Sequence, residues 1–130
     1  MRDGKFVILF VDDDPDLRDA MRQMLEAHGY AMAEASSAEE GLRVYAKSKP
    51  DLIILDMMME EVDAGKNLLR ELKAEGNRAP VYLLSSMGDH MALATDTSEI
   101  GFAGVFQKPI DQRSLLRTLA VRLGNKRGSA

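Results

Sequence analysis

The chain has 130 residues, 45% of them apolar, which is one domain's worth of sequence around a single core and excludes a two-domain arrangement. It has no Cys, so disulfides, thiol nucleophiles and thiolate metal sites are excluded, and two isolated histidines, His28 and His90, cannot build a histidine-rich zinc site; any metal must be held by oxygen. With 17 basic against 21 acidic residues and 5% aromatics, no nucleic-acid groove is expected; the apolar run Phe6 to Val11 is far too short to span a bilayer, no signal-peptide core follows the first residues, and the chain reads as soluble and cytoplasmic.

Short apolar runs alternate with amphipathic stretches, the rhythm of a βα repeat around a parallel sheet. Lys5 to Val11 is an uninterrupted β-branched and aromatic run, as a strand covered on both faces requires. Asp14 and Pro15 open the first helix as cap and first-turn residue; Leu17, Ala20, Met21, Met24 and Leu25 form its apolar stripe, and Gly29 stops it. A weaker strand around Tyr30 to Ala35 leads into a capping box, Ser37 with Glu40, and a second helix striped by Gly41, Leu42, Tyr45 and Ala46.

The third strand, Asp51 to Asp56, is introduced by Pro50 and closed by an acid. An irregular stretch runs to Gly65, and Leu68, Leu69 and Leu72 mark a third helix ending near Gly76 and Asn77. Pro80 to Leu84 is the fourth strand, followed by Ser85 and Ser86; Ala103 to Gln107 is the fifth, followed by Lys108 and Pro109. Between them a helix is expected over 88–100, with poor propensity from Gly88, Thr95, Asp96, Thr97 and Ser98. Asp111 caps a last helix striped by Leu115, Leu116, Leu119 and Leu123 up to Gly124, leaving residues 125–130 as a short polar tail after a domain over 1–124.

Polar residues collect at the carboxyl ends of the strands, where open α/β sheets bind their ligands. Strand one ends in Asp12, Asp13 and Asp14, strand three in Asp56, strand four in Ser85 and strand five in Lys108. Ionised carboxylates from two strands crowd together only around a cation, and hard oxygen ligands suit Mg²⁺; Asp12, Asp13 and Asp56 are the candidate set. With a hydroxyl and an ammonium for the phosphoryl oxygens and one carboxylate as nucleophile, the inventory fits phosphoryl transfer to an aspartate.

These residues carry a resemblance. Val11-Asp12-Asp13-Asp14-Pro15, the strand-three Asp56 followed by Met57-Met58-Met59, Leu84-Ser85-Ser86 and Lys108-Pro109, in that order and each at an expected strand end, resemble the receiver domain of two-component response regulators, over about residues 5 to 124, with a stand-alone chemotaxis receiver as the nearest type. The resemblance implies a flavodoxin-like (βα)5 fold with a doubly wound parallel five-stranded sheet in the order 2-1-3-4-5. It implies Asp56 as phosphoryl acceptor, Mg²⁺ held by Asp13 and Asp56, by Asp12 largely through water and by the backbone carbonyl of Met58, Ser85 as hydrogen-bond donor to the phosphoryl group, Lys108 as its salt-bridge partner, and a cis Lys108–Pro109 bond.

Two departures stand out. The family commonly follows the acceptor with Met-Pro-x-Met-Asp-Gly; here Glu60, Glu61, Val62, Asp63 and Ala64 precede a late Gly65. The aromatic usual three residues before the lysine is Val105, and Phe106, one residue on, is expected on the opposite face, which puts the family's hydroxyl–aromatic switch in question. Ser85 in place of the commoner Thr keeps the hydroxyl.

Plainer readings hold for several residues: Asp14 as a helix cap, Met57 to Met59 as apolar surface, His28 and His90 as surface side chains, Ser85 and Ser86 as a turn. The enzyme alternative resembles the haloacid dehalogenase phosphohydrolases, with Asp12 as nucleophile, but Asp16 stands where that signature has Thr or Val and Asp56 has no role. A third reading is a receiver-like interaction module that takes no phosphate; a flavin binder lacks its phosphate loop after strand one. The reading adopted is a phosphoacceptor, not a turnover enzyme: a sensor histidine kinase or histidine phosphotransfer protein phosphorylates Asp56 with Mg²⁺, and the change alters contacts with an output protein, or a homodimer through the helix over 88–100 and the fifth strand.

Overall fold

The computed structural model describes residues 4–56, 64–85 and 102–124. In chain order the elements are β1 (Val7–Val11), α1 (Pro15–Ala27), β2 (Ala31–Ala35), α2 (Ala38–Ser48), β3 (Leu52–Asp56), α3 (Ala64–Ala74), β4 (Val81–Ser85), β5 (Gly104–Gln107) and α4 (Gln112–Leu123). The strands form one parallel sheet in the order β2-β1-β3-β4-β5, the expected doubly wound α/β topology. The helix expected over 88–100, the Met57 to Met59 loop, Ser86, His90 and the tail over 125–130 lie outside the described residues.

Every residue of β1, β3 and β4 is buried, because helices cover both faces of the sheet. Strand alternation divides the core into two layers. Val7, Leu9, Val11, Ile53, Leu55, Val81 and Leu83 face one way, against Leu68, Leu69 and Leu72 of α3. Ile8, Phe10, Leu52, Ile54, Tyr82 and Leu84 face the other, against Met21 and Leu25 of α1 and Leu115 and Leu119 of α4. Val105 packs into the first layer and Phe106 into the second, so the two residues do take opposite faces of β5. Phe106 stacks on Tyr82, with ring centroids 5.1 Å apart.

The helix starts follow the caps read from the sequence, with one difference. Asp14 accepts from the amides of Asp16 and Leu17, and Asp111 from that of Arg113. Ser37 accepts from the Glu40 amide at 3.1 Å, but Glu40 reaches back to the amide and hydroxyl of Ser36, one residue before the cap, so the box is closed one position early. Gly41 lets α2 press onto the end of β1: a Cβ there would meet Val11 Cγ2 at 3.3 Å and Leu68 Cδ2 at 3.4 Å. That contact fixes α2 against the strand end that carries Asp12. The fourth strand runs one residue further than expected, so Ser85 is its last member, paired in register with Gln107.

Candidate functional site

Asp12 directly follows β1, Asp56 and Ser85 end β3 and β4, and Lys108 directly follows β5. Because β1, β3, β4 and β5 are sheet neighbours in parallel register, these four positions fall on one rim of the molecule. One carboxylate oxygen from each of Asp12, Asp13 and Asp56 lies within 4.8 Å of the others. Lys108 Nζ sits 3.3 Å from Asp56 Oδ1 and 3.7 Å from Asp12 Oδ2. The sequence-predicted acids and the lysine therefore meet in one place. Ser85 stands at the adjoining strand end, its backbone carbonyl accepting from the Lys108 amide at 2.7 Å, while its hydroxyl is fully buried with no hydrogen-bond partner among the described residues. The Lys108–Pro109 bond is cis, as expected. Met58, whose carbonyl was the remaining expected ligand, lies outside the described residues.

Asp12 is the most constrained member. It has no exposed surface, its amide donates to the Ala35 carbonyl at 3.0 Å, and its Oδ1 accepts from the Asp14 amide at 2.9 Å. Its Oδ2 has no hydrogen-bond partner among the described residues. Burial pushes the Asp12 carboxyl up to about 6; the neighbouring charges of Asp56 and Asp13 push the same way, and the Asp14 amide and the Lys108 ammonium pull against them. Asp13 is exposed and Asp56 is 3% exposed, so the cluster joins two buried acids to one at the surface.

The donor set fits a hard divalent cation. All its ligand atoms are carboxylate oxygens, and a buried oxygen without a hydrogen bond is a costly group that a cation would satisfy. Among the described residues, the Lys108 ammonium is shared by two buried acids with a third acid beside them, which leaves negative charge in excess. Mg²⁺, which keeps several waters and takes few protein ligands, matches three such oxygens better than Ca²⁺ does.

Two residues beside the cluster escaped the sequence reading. Arg18, on α1, donates from Nη1 to the Asp12 carbonyl at 2.7 Å and from Nε to Glu34 Oε1 at 2.8 Å. Glu34 also pairs with Arg22, whose Nη1 donates to the Met32 carbonyl on the edge strand β2 at 3.2 Å. The only sequence signal was the charge itself: Glu34 interrupts β2 two residues after buried Met32, on the face that α1 covers.

Comparison with known proteins accounts for this arrangement. The model of the response regulator receiver domain family matches residues 8–120. The transcriptional regulatory protein GlrR of Escherichia coli is 34% identical over 112 residues, covering 86% of this chain and 25% of that protein, and the response regulator MprA of Mycobacterium leprae is 30% identical over 116 residues, covering 89% and 50%. The chain thus spans a quarter to a half of the length of these curated relatives. Among solved structures, a response regulator receiver domain protein from Clostridium thermocellum superposes with a TM-score of 0.80 at 27% identity, covering 96% of this chain and 99% of that one. The chemotaxis response regulator CheY4 of Vibrio cholerae shares the fold, with a TM-score of 0.77 at 24% identity over 90% and 98% of the two chains. A strand-end cluster of acids, hydroxyl and lysine on a 2-1-3-4-5 sheet, together with a family match over most of its length, shows that this chain belongs to the response regulator receiver domain family of two-component signalling.

Proposed function

We propose that Asp56 is the phosphoryl acceptor of this receiver domain and that Asp12 and Asp13 hold Mg²⁺ beside it. The observation that carries this reading is the contact of Lys108 Nζ with Asp56 Oδ1 at 3.3 Å inside a cluster of three carboxylates. Of the three, Asp56 is the acid that both shares the lysine closely and sits between the strand ends bearing Asp12 and Ser85.

An Asp56 oxygen attacks the phosphorus of a phosphohistidine on a sensor kinase or a histidine phosphotransfer protein. The new O–P bond forms as the P–N bond breaks, its electron pair stays on the imidazole nitrogen, and that nitrogen takes up a proton. Bound Mg²⁺ supplies charge neutralisation for the phosphoryl oxygens. The Lys108 ammonium gives a second positive partner to the same oxygens, and the Ser85 hydroxyl, which has no hydrogen-bond partner among the described residues, donates to one of them. Hydrolysis of the acyl phosphate restores Asp56, so the domain resets without turning over an external substrate.

Asp12 is a poor candidate for the nucleophile of a phosphohydrolase. Its side chain is fully buried, one oxygen is committed to the Asp14 amide, and burial favours its protonated form. Output through protein contacts in the cytoplasm, with β5 and the segment 88–100, where the sequence predicts a helix, as the interacting face, follows from the same reading; among the described residues no helix is long and apolar enough to cross a membrane.

Borohydride trapping tests the acceptor. Reduction of the acyl phosphate formed with a small acyl phosphate donor converts the modified aspartate to homoserine, and peptide mass mapping should find that conversion at Asp56. Conversion at Asp12 or Asp13 would overturn the assignment.

A further inference from the structure

We infer that Arg18 is a positioning residue for the acid cluster, and that Glu34 holds it in that role; the inference rests on the reading that Asp12, Asp13 and Asp56 bind Mg²⁺. The β1–β2 ladder ends at Val11 paired with Ala35, and the Asp12 amide makes the next bond, to the Ala35 carbonyl at 3.0 Å. The Asp12 carbonyl lies beyond that ladder, at the turn into α1. Arg18 Nη1 takes it at 2.7 Å. Asp12 is thus pinned at three points: its amide to β2, its carbonyl to Arg18, and its Oδ1 to the Asp14 amide at 2.9 Å. The outcome is a single orientation that leaves Oδ2 toward Lys108 and Asp56.

The guanidinium would be a hazard without Glu34. An arginine this close to two buried acids and an exposed one is drawn to carboxylates, where its fork would compete with a metal ion. Glu34 takes the Nε donor at 2.8 Å and accepts from Arg22 with its other oxygen, so the arginine is held on the backbone side of Asp12. The pairing is mutual: hydrogen bonds from Arg22 first, then from Arg18, hold the Glu34 carboxyl below its ordinary range despite partial burial. The Arg18 side chain is only 18% exposed, with its donors turned to Glu34 and the Asp12 carbonyl. Partners one step removed from a metal ligand commonly set its affinity by fixing its orientation.

The test is Mg²⁺ titration of the whole chain, followed by the chemical shifts of the Asp12 and Asp13 amides, with thermal unfolding measured on the same samples. Arg18→Ala should weaken Mg²⁺ binding roughly tenfold, the lower end of the effect seen for such partners. Glu34→Ala should weaken it too, and the double variant should be no weaker than Arg18→Ala, because Glu34 acts through Arg18. Arg18→Lys should recover the unfolding temperature by pairing with Glu34, yet leave the Mg²⁺ deficit, since an ammonium cannot hold the carboxylate and the carbonyl in one planar fork. Wild-type affinity in Arg18→Ala would overturn the inference, as would an affinity that returns in step with the unfolding temperature in Arg18→Lys. Where Arg18→Ala does not fold, Arg18→Lys decides. A wild-type chain that binds no Mg²⁺ would overturn the reading of the acid cluster itself, and the inference with it.

Discussion

Lys108 Nζ stands 3.3 Å from Asp56 Oδ1, so the lysine occupies the space beside the proposed acceptor that a phosphoryl oxygen or a cation would share. Lys108 Nζ also stands 3.7 Å from Asp12 Oδ2. On the proposed function its charge would have opposite effects on two partners, competing with Mg²⁺ for the carboxylates and assisting the phosphoryl group.

Lys108→Ala separates these effects. Removing the ammonium should tighten Mg²⁺ binding several-fold, because a competing positive charge leaves the cluster, and should lower the yield and slow the formation of the Asp56 adduct. Calorimetric or shift-monitored Mg²⁺ titration, set beside adduct formation with a small acyl phosphate, reads both. Weaker Mg²⁺ binding in the variant would contradict the competition.

Measured against Asp12→Asn, the metal-free wild type should lose stability between about pH 4 and pH 6. Asp12 has its carboxyl raised by burial from 3.8 to about 6, so the folded state holds a proton there that the unfolded chain has already released. The stabilising contribution is fully present below the unfolded value and disappears as pH rises through the folded one. Chelator-treated Asp12→Asn should lack this loss and be more stable than the wild type at pH 8, whereas saturating Mg²⁺ should stabilise the wild type alone. Thermal unfolding against pH, with and without Mg²⁺, checks the sign.

Sheet packing behind β5 depends on a missing side chain. A Cβ on Gly104 would lie 2.8 Å from Tyr82 Cε2, and that ring is already stacked on Phe106, while its hydroxyl accepts from Arg122 Nε at 2.7 Å. Gly104→Ala should cost about 1–3 kcal/mol by overpacking. The cost should persist in a Tyr82→Phe background and vanish in Tyr82→Ala, a coupling that denaturant unfolding of the wild type, the three single variants and the two double variants measures.

Most of the fold and the centre of the site were legible because each reported residue closes a clear pattern. Asp12, Asp56 and Lys108 end apolar runs, and strand ends in a parallel sheet converge on one rim, so spacing along the chain became proximity in space. The opposite facing of Val105 and Phe106 follows from strand geometry alone. Arg18 and Glu34 were not legible, since a guanidinium bonded to a backbone carbonyl of another element leaves no periodicity to read. Nor was the shift of the Glu40 contact from Ser37 to Ser36, which depends on the local path of the chain rather than on residue type.

The central claim is that Asp56 takes the phosphoryl group in a site completed by Mg²⁺, and intact-mass analysis after incubation with a small acyl phosphate tests it most directly. A single phosphoryl adduct that requires Mg²⁺, disappears with chelator and is absent in Asp56→Asn is the predicted result. An adduct that survives Asp56→Asn but is lost in Asp12→Asn, or a wild-type chain that takes no phosphoryl group at all, would contradict it.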